Sequence, residues 1–146
     1  MAMSKKTLST ISSFLSILLL VSLSASSQVT DTIKNIDSLI YETVDTAASF
    51  PGGKAAWDKF AGKNINAFVP VENSAKKGTY KVKIGFTVMK DGSLRDFERI
   101  TKHMHGMEEE VIRVLKLSPR WIPGRKDGNM VNSKASQEFT FVVMVF

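Results

Sequence analysis

The side chains able to do chemistry in this 146-residue sequence are few: two histidines, a run of three glutamates and no cysteine. His103-Met104-His105 sets two imidazoles at alternating positions with a thioether between them, a pattern that suits copper, nickel or zinc, the thioether favouring copper(I). Two histidines alone leave such a site incomplete, and the same spacing suits two solvent-facing loop residues, so no metal is expected. Glu108-Glu109-Glu110 fits the positive end of a helix better than a paired-carboxylate acid–base site. Gly52-Gly53 at a helix start could cradle an anion, but no lysine–serine or further glycine signature follows. Without cysteine there is no thiolate nucleophile, disulfide, Cys-ligated zinc, iron–sulfur cluster or lipidated N-terminal cysteine. No Ser-His-Asp arrangement and no nucleotide loop can be assembled either, so the chain reads as non-enzymatic, with no catalytic residue and no cofactor.

The elements that would position these residues follow from periodicity. Trp57, Phe60, Ala61 and Ile65 form the stripe of a short amphipathic helix that opens after Phe50-Pro51-Gly52-Gly53. From Tyr80 the period is two, with Tyr80, Val82, Ile84, Phe86 and Val88 on one face of a strand. Asp91-Gly92 supplies a hairpin turn, and Leu94 to Thr101 returns as a second strand. Arg99 falls there on the face of Phe97, which points to a bulge, a strand end or a side chain reaching out of the core edge. Met107, Val111, Val114 and Leu115 mark a second helix, which Pro119 ends. The corner Trp121-Ile122-Pro123-Gly124 buries an indole and turns the chain, and Ala135, Phe139, Phe141, Val143 and Val145 alternate as a closing strand. The expected fold is α+β, in the order helix-strand-strand-helix-strand, with both helices on one face of a three-stranded antiparallel sheet of order 2-1-3. In that order the C-terminal strand is an edge, mostly apolar on both faces from Phe139 to Phe146, which something must cover: a peptide, a second copy or residues 28–49 folding back.

The N-terminal part has a different character. Two lysines in residues 1–6 precede an uncharged stretch from Thr7 to Ser27 with an apolar centre, Phe14 to Leu23, and small residues Ala25 and Ser27 before Gln28. This is the layout of a secretory signal peptide, and its apolar centre is short against the roughly 20 residues that span a bilayer. The expected organisation is a signal peptide over 1–27, a polar approach segment over 28–49 with a helical stretch near Ile33 to Tyr41, and a domain over 50–146. An exported, periplasmic protein follows, or a membrane-associated one if the segment is retained. Cutting it lowers the formal charge from +6 to +4, because Lys5 and Lys6 leave with no acid. That mild excess, without a basic face interleaved with aromatics, gives no reason to expect a nucleic-acid partner. A chain 23% charged with nine phenylalanines is not a disordered polyelectrolyte.

Phe50-Pro51-Gly52-Gly53 before a helix, the hairpin Phe86 to Asp96 centred on Asp91-Gly92, and Pro119-Arg120-Trp121-Ile122-Pro123-Gly124 before a closing strand resemble, in order and spacing, the C-terminal domain of TonB, the energy transducer of Gram-negative bacteria. The resemblance covers roughly residues 50–146. It implies a protein-binding module linked to TonB-dependent transmembrane transport, which takes an extended peptide or an outer-membrane transporter segment as a strand on its sheet edge. The edge residues so implied are Phe139, Phe141, Val143, Val145 and Phe146, and the same strand could pair two copies into a homodimer. A full transducer keeps an N-terminal anchor and a long Pro-rich spacer. Here residues 28–49 contain no proline and reach at most about 75 Å, so binding without force transmission is expected. The alternatives are a short membrane-anchored transducer with residues 7–27 uncleaved, and a metal-binding or enzymatic protein using His103 and His105.

Overall fold

Strict alternation builds the centre of the sheet. The computed structural model describes residues 38–144; residues 1–27, expected as a signal peptide, residues 28–37, and Val145 and Phe146 lie outside the described residues. Strand β2 (Gly78–Val88) turns Val82, Ile84, Phe86 and Val88 into the core while Lys81 and Lys83 stay exposed on the other face. Helices α1 (Gly53–Asn64) and α3 (Met107–Leu117) cover the inner face, burying Trp57 and Ala61 from the first and Met107, Val111, Val114 and Leu115 from the second in one apolar cluster. A single turn, α2 (Val69–Glu72), carries Pro70 at its start, where the missing N–H costs no helical bond.

The sheet corrects the expected architecture. It has five strands rather than three and is mixed rather than antiparallel. Strand β2 lies between β3 (Leu94–Arg99) and β5 (Asn129–Val143), antiparallel to both. Two short strands complete it: β1 (Ile40–Tyr41) pairs parallel with Asn132 and Ser133, and β4 (Gly124–Lys126) pairs antiparallel with Asn129 to Val131. The helical stretch expected near Ile33 to Tyr41 is thus a strand at its described end.

The physical causes lie in polar segments. Asp127 and Gly128 both adopt positive φ, 49° and 78°, the geometry of a tight two-residue hairpin whose twist matches its strands. This starts β5 at Asn129, well before the apolar run. The compact unit begins at Leu39, so part of the segment expected as an approach lies along the sheet. Thr46 pairs with Arg125 and Ser49 with Ile122, and the buried Asn132 side chain donates to the Leu39 carbonyl at 3.1 Å and accepts from the Lys90 amide at 2.9 Å.

Arg99 is accommodated by an irregularity in β3. The register with β2 shifts between Gly85 and Thr87, and Asp96 takes φ 51°. Leu94 and Phe97 therefore both reach the core, and Arg99 at the strand end pairs with Glu109 at 2.7 Å.

Candidate functional site

Backbone hydrogen-bonding capacity marks the candidate site. Among the described residues, β5 is paired from Lys134 to Val143 on one side only, to β2, because β1 and β4 stop at Ser133 and Val131. The other outer strand, β3, is shorter, broken by the irregularity at Asp96 and carries Arg95, Asp96, Glu98 and Arg99, features that discourage pairing with a further strand. The long regular edge is the one on β5.

The side chains of β5 sort by face. Phe141 and Val143 are buried, and Phe139 packs against Trp57 with ring centroids 5.7 Å apart; Lys134, Ser136, Glu138, Thr140 and Val142 point outward. Phe139, Phe141 and Val143 thus serve the core with their side chains, and their backbone groups lie on the edge; Val145 and Phe146, also expected there, lie outside the described residues. Gln137, which the sequence reading did not single out, faces the helix side with its ladder partner Ile84 and borders a cavity of about 350 Å3 walled by Phe50, Trp57 and Trp121 with Lys54 at the rim. On the opposite face the lack of a side chain at Gly85 leaves a trough of about 400 Å3 flanked by Ser136, Lys134, Glu98 and Ile100. Lys81 and Glu138 pair across this face at 3.5 Å, while Lys134 stays exposed.

The remaining motif residues build the frame. Phe50 accepts a bond from the Gly53 amide at 2.8 Å across a turn whose Gly52 and Gly53 have φ of 84° and 74°, so Pro51 and the two glycines aim the chain into α1. Phe50, Trp57 and Trp121 then meet with centroids 5.3 to 5.9 Å apart. The Asp91-Gly92 turn and the Pro119–Gly124 corner, far apart in sequence, lock together: the Trp121 amide donates to the Gly92 carbonyl at 2.9 Å, and Arg120 reaches the Asp91 carbonyl at 2.7 Å and its carboxylate at 3.0 Å. Bonds from the Ser93 hydroxyl and amide, with Arg120 beside it, hold the Asp91 carboxyl at about 2, below its ordinary 3.8.

His103 and His105 are brought to different partners. His103 Nε2 lies 2.8 Å from the Lys81 carbonyl and His105 Nδ1 2.8 Å from the Asn73 carbonyl, so each ring nitrogen serves as a donor to backbone. Among the described residues no three His, Asp or Glu side chains form a group that could hold a metal, and no helix is long and apolar enough to cross a membrane.

The glutamates at the start of α3 have separate tasks beyond meeting the helix dipole. Glu108 is buried and accepts the His103 amide at 2.7 Å, Glu109 holds Arg99, and Glu110 accepts the Asn66 amide and the Arg113 guanidinium, both at 2.6 Å. Arg113 is the main cause that lowers the Glu110 carboxyl below its ordinary 4.5. A carboxyl lowered in the folded state stabilises above its ordinary value and ceases to do so as pH falls through the folded-state value. Glu110→Gln is accordingly expected to cost about 1 kcal/mol at pH 7, with the gap to the parent closing in urea titrations run below pH 4.5.

A scan against protein-family models and a search of curated proteins each return no match to this chain.

Proposed function

We propose that the chain is a non-enzymatic, exported protein-binding domain that takes an extended peptide as an added strand along β5, in the manner of the TonB C-terminal domains it resembles. One observation carries the reading: the regular edge from Lys134 to Val143, paired on one side alone among the described residues. Free N–H and C=O groups in such a row give affinity through main-chain pairing whatever the peptide sequence. Residues 39–49 already lie along β4 and the start of β5, which leaves the C-terminal part of the edge as the place for a partner. An outer-membrane transporter segment is the partner that the resemblance suggests, and a second copy of the chain pairing through β5 is the competing occupant.

Titration of isotope-labelled protein with N-terminal segments of TonB-dependent transporters tests this. Amide shifts concentrated on residues 134–143 are expected; shifts scattered elsewhere, or none, would sink strand addition. A mass that doubles with concentration, with those same amides moving and no peptide present, would give the edge to a second copy. N-terminal sequencing of the protein from its host checks the export reading, with a chain beginning at Gln28 as the expected result.

A further inference from the structure

We propose that one end of the domain docks on an anionic lipid bilayer, with apolar side chains from α2, from the turn before α3 and from the end of β5 entering the headgroup region while lysines around them meet lipid phosphates. These segments are distant in sequence and adjacent in space. His105 Nδ1, in the turn before α3, lies 2.8 Å from the Asn73 carbonyl just past α2, and a side chain at Gly106 would meet Val69 Cγ1 at 3.0 Å. From α2 the chain runs into β2: the Ala75 amide donates to the Pro70 carbonyl at 2.8 Å, and the Tyr80 hydroxyl donates to the Lys76 carbonyl at 2.7 Å. The start of β2 faces the end of β5, with Gly78 opposite Val143 and Thr79 opposite Val142, and α2 lies against both β5 and α3.

What this end shows to solvent is apolar at its tips. Phe68, Val71, Met104, Val142 and Met144 are each between 49 and 75% exposed, five of the eleven large apolar side chains so exposed among the described residues. Single exposed apolar residues need no explanation, but a group of them rimmed by polar ones marks an interaction site. The rim is basic. Lys76, Lys77 and Lys102 are exposed and form no ion pair among the described residues, and Lys81 beside them has Glu138 at 3.5 Å. Of the acids nearby, Glu109 is held by Arg99, which leaves Glu72 of α2 against the lysines. The apolar groups project from two turns and a strand end, so a deformable phase can receive them together. Lysine stems then carry their ammonium groups to the level of the phosphates. This surface needs no added strand, and it stands or falls apart from the strand-addition reading.

Co-sedimentation of the full chain with phosphatidylcholine vesicles, with and without phosphatidylglycerol, tests this. Binding is expected on the anionic vesicles and should weaken as salt is added. Phe68→Ser combined with Met104→Ser should weaken it about tenfold or more. Lys76→Gln, Lys77→Gln and Lys102→Gln together should weaken it about a hundredfold, roughly fivefold for each charge. All five positions lie outside the apolar core cluster, so both variants should keep the parent's urea midpoint. Because the chain has no cysteine, Met104→Cys gives a single site for a polarity-sensitive dye, whose emission should move to the blue on anionic vesicles. The same dye at Ile122→Cys, on the corner that meets Gly92 past the other end of β2, should not move. Binding that both multiple variants retain would assign attachment to the apolar stretch in residues 7–27 and overturn the proposal. Loss in the lysine variant without a dye shift would mean charge attraction without insertion, and overturns it too. A chain that ignores vesicles but is held by immobilised polyglutamate would give this end to an acidic polypeptide, and one held by neither would leave it without a bilayer role.

Discussion

Trp121→Ala is expected to lower the free energy of unfolding by about 3–5 kcal/mol, the cost of emptying a buried aromatic site that cannot collapse. Trp121 is 4% exposed and meets Phe50, Trp57 and Phe86 with centroids 5.9, 5.5 and 5.2 Å away, so it joins the entry turn, α1 and the central strand. Its indole N–H donates to the Ser118 hydroxyl at 3.0 Å, which in turn donates to the Leu115 carbonyl at 2.7 Å at the end of α3. Deleting the ring therefore also loosens the stop of that helix. Against a total of roughly 5–15 kcal/mol for a domain, the variant should be partly unfolded at 37 °C. Urea titration by circular dichroism measures it, with Ile122→Ala as the control: its neighbour is 52% exposed and should shift stability by no more than about 0.5 kcal/mol. Equal midpoints for the two variants would show that the corner is only a turn and not the centre of the core.

Wherever a side chain decides its own neighbourhood, the sequence is readable. The period-two run of β2 and the helical stripe of α3 could be traced because burial on one face demands that spacing whatever the rest of the chain does. Trp121 could be assigned to the core for a similar reason, since an indole between two prolines has few other uses in a small domain. The three-stranded sheet failed at the other kind of element. Strands β1 and β4 contain five residues between them and have no alternation to show; they exist because Asp127-Gly128 folds the chain sharply and because Asn132 ties the Leu39 carbonyl to the sheet. The first is a local turn beside a strand too short to show a period, and the second depends on a partner far away in sequence.

The sequence marks Phe139, Phe141 and Val143 as residues of an edge strand whose backbone would meet a partner, and their side chains are used by the core. Gln137 and Lys134 are ordinary polar residues, and only the ladder register with β2 and the turn at Phe50 make them neighbours of the cavity and the charged face. Asp91-Gly92 and Arg120-Trp121 were each recognisable as turns. That they grip one another through the Gly92 and Asp91 carbonyls is a property of how α3 returns the chain, which no local pattern encodes.

That grip makes Gly92→Ala the second large effect, expected at about 3 kcal/mol. Gly92 has φ 82°, and a Cβ built there would lie 2.4 Å from the Trp121 carbonyl oxygen and 3.1 Å from the Arg120 Cβ. The left-handed backbone alone costs an alanine about 1–2 kcal/mol. The rest comes from the close approach: the obstacle is backbone, so the turn or the corner must move, and with it the bond from the Trp121 amide to the Gly92 carbonyl. Gly128→Ala separates the two parts, because Gly128 has φ 78° but nothing within 4 Å of the added carbon; it should cost about 1–2 kcal/mol and no more. Chemical unfolding of both variants gives the difference directly, and a like loss at the two positions would mean that the turn does not bear on Trp121. Gly92→Asn sharpens the contrast, since asparagine accepts the left-handed conformation more readily than alanine yet carries the same Cβ. Its failure to recover stability would assign the loss to the contact, and so to the corner that walls the aromatic cavity.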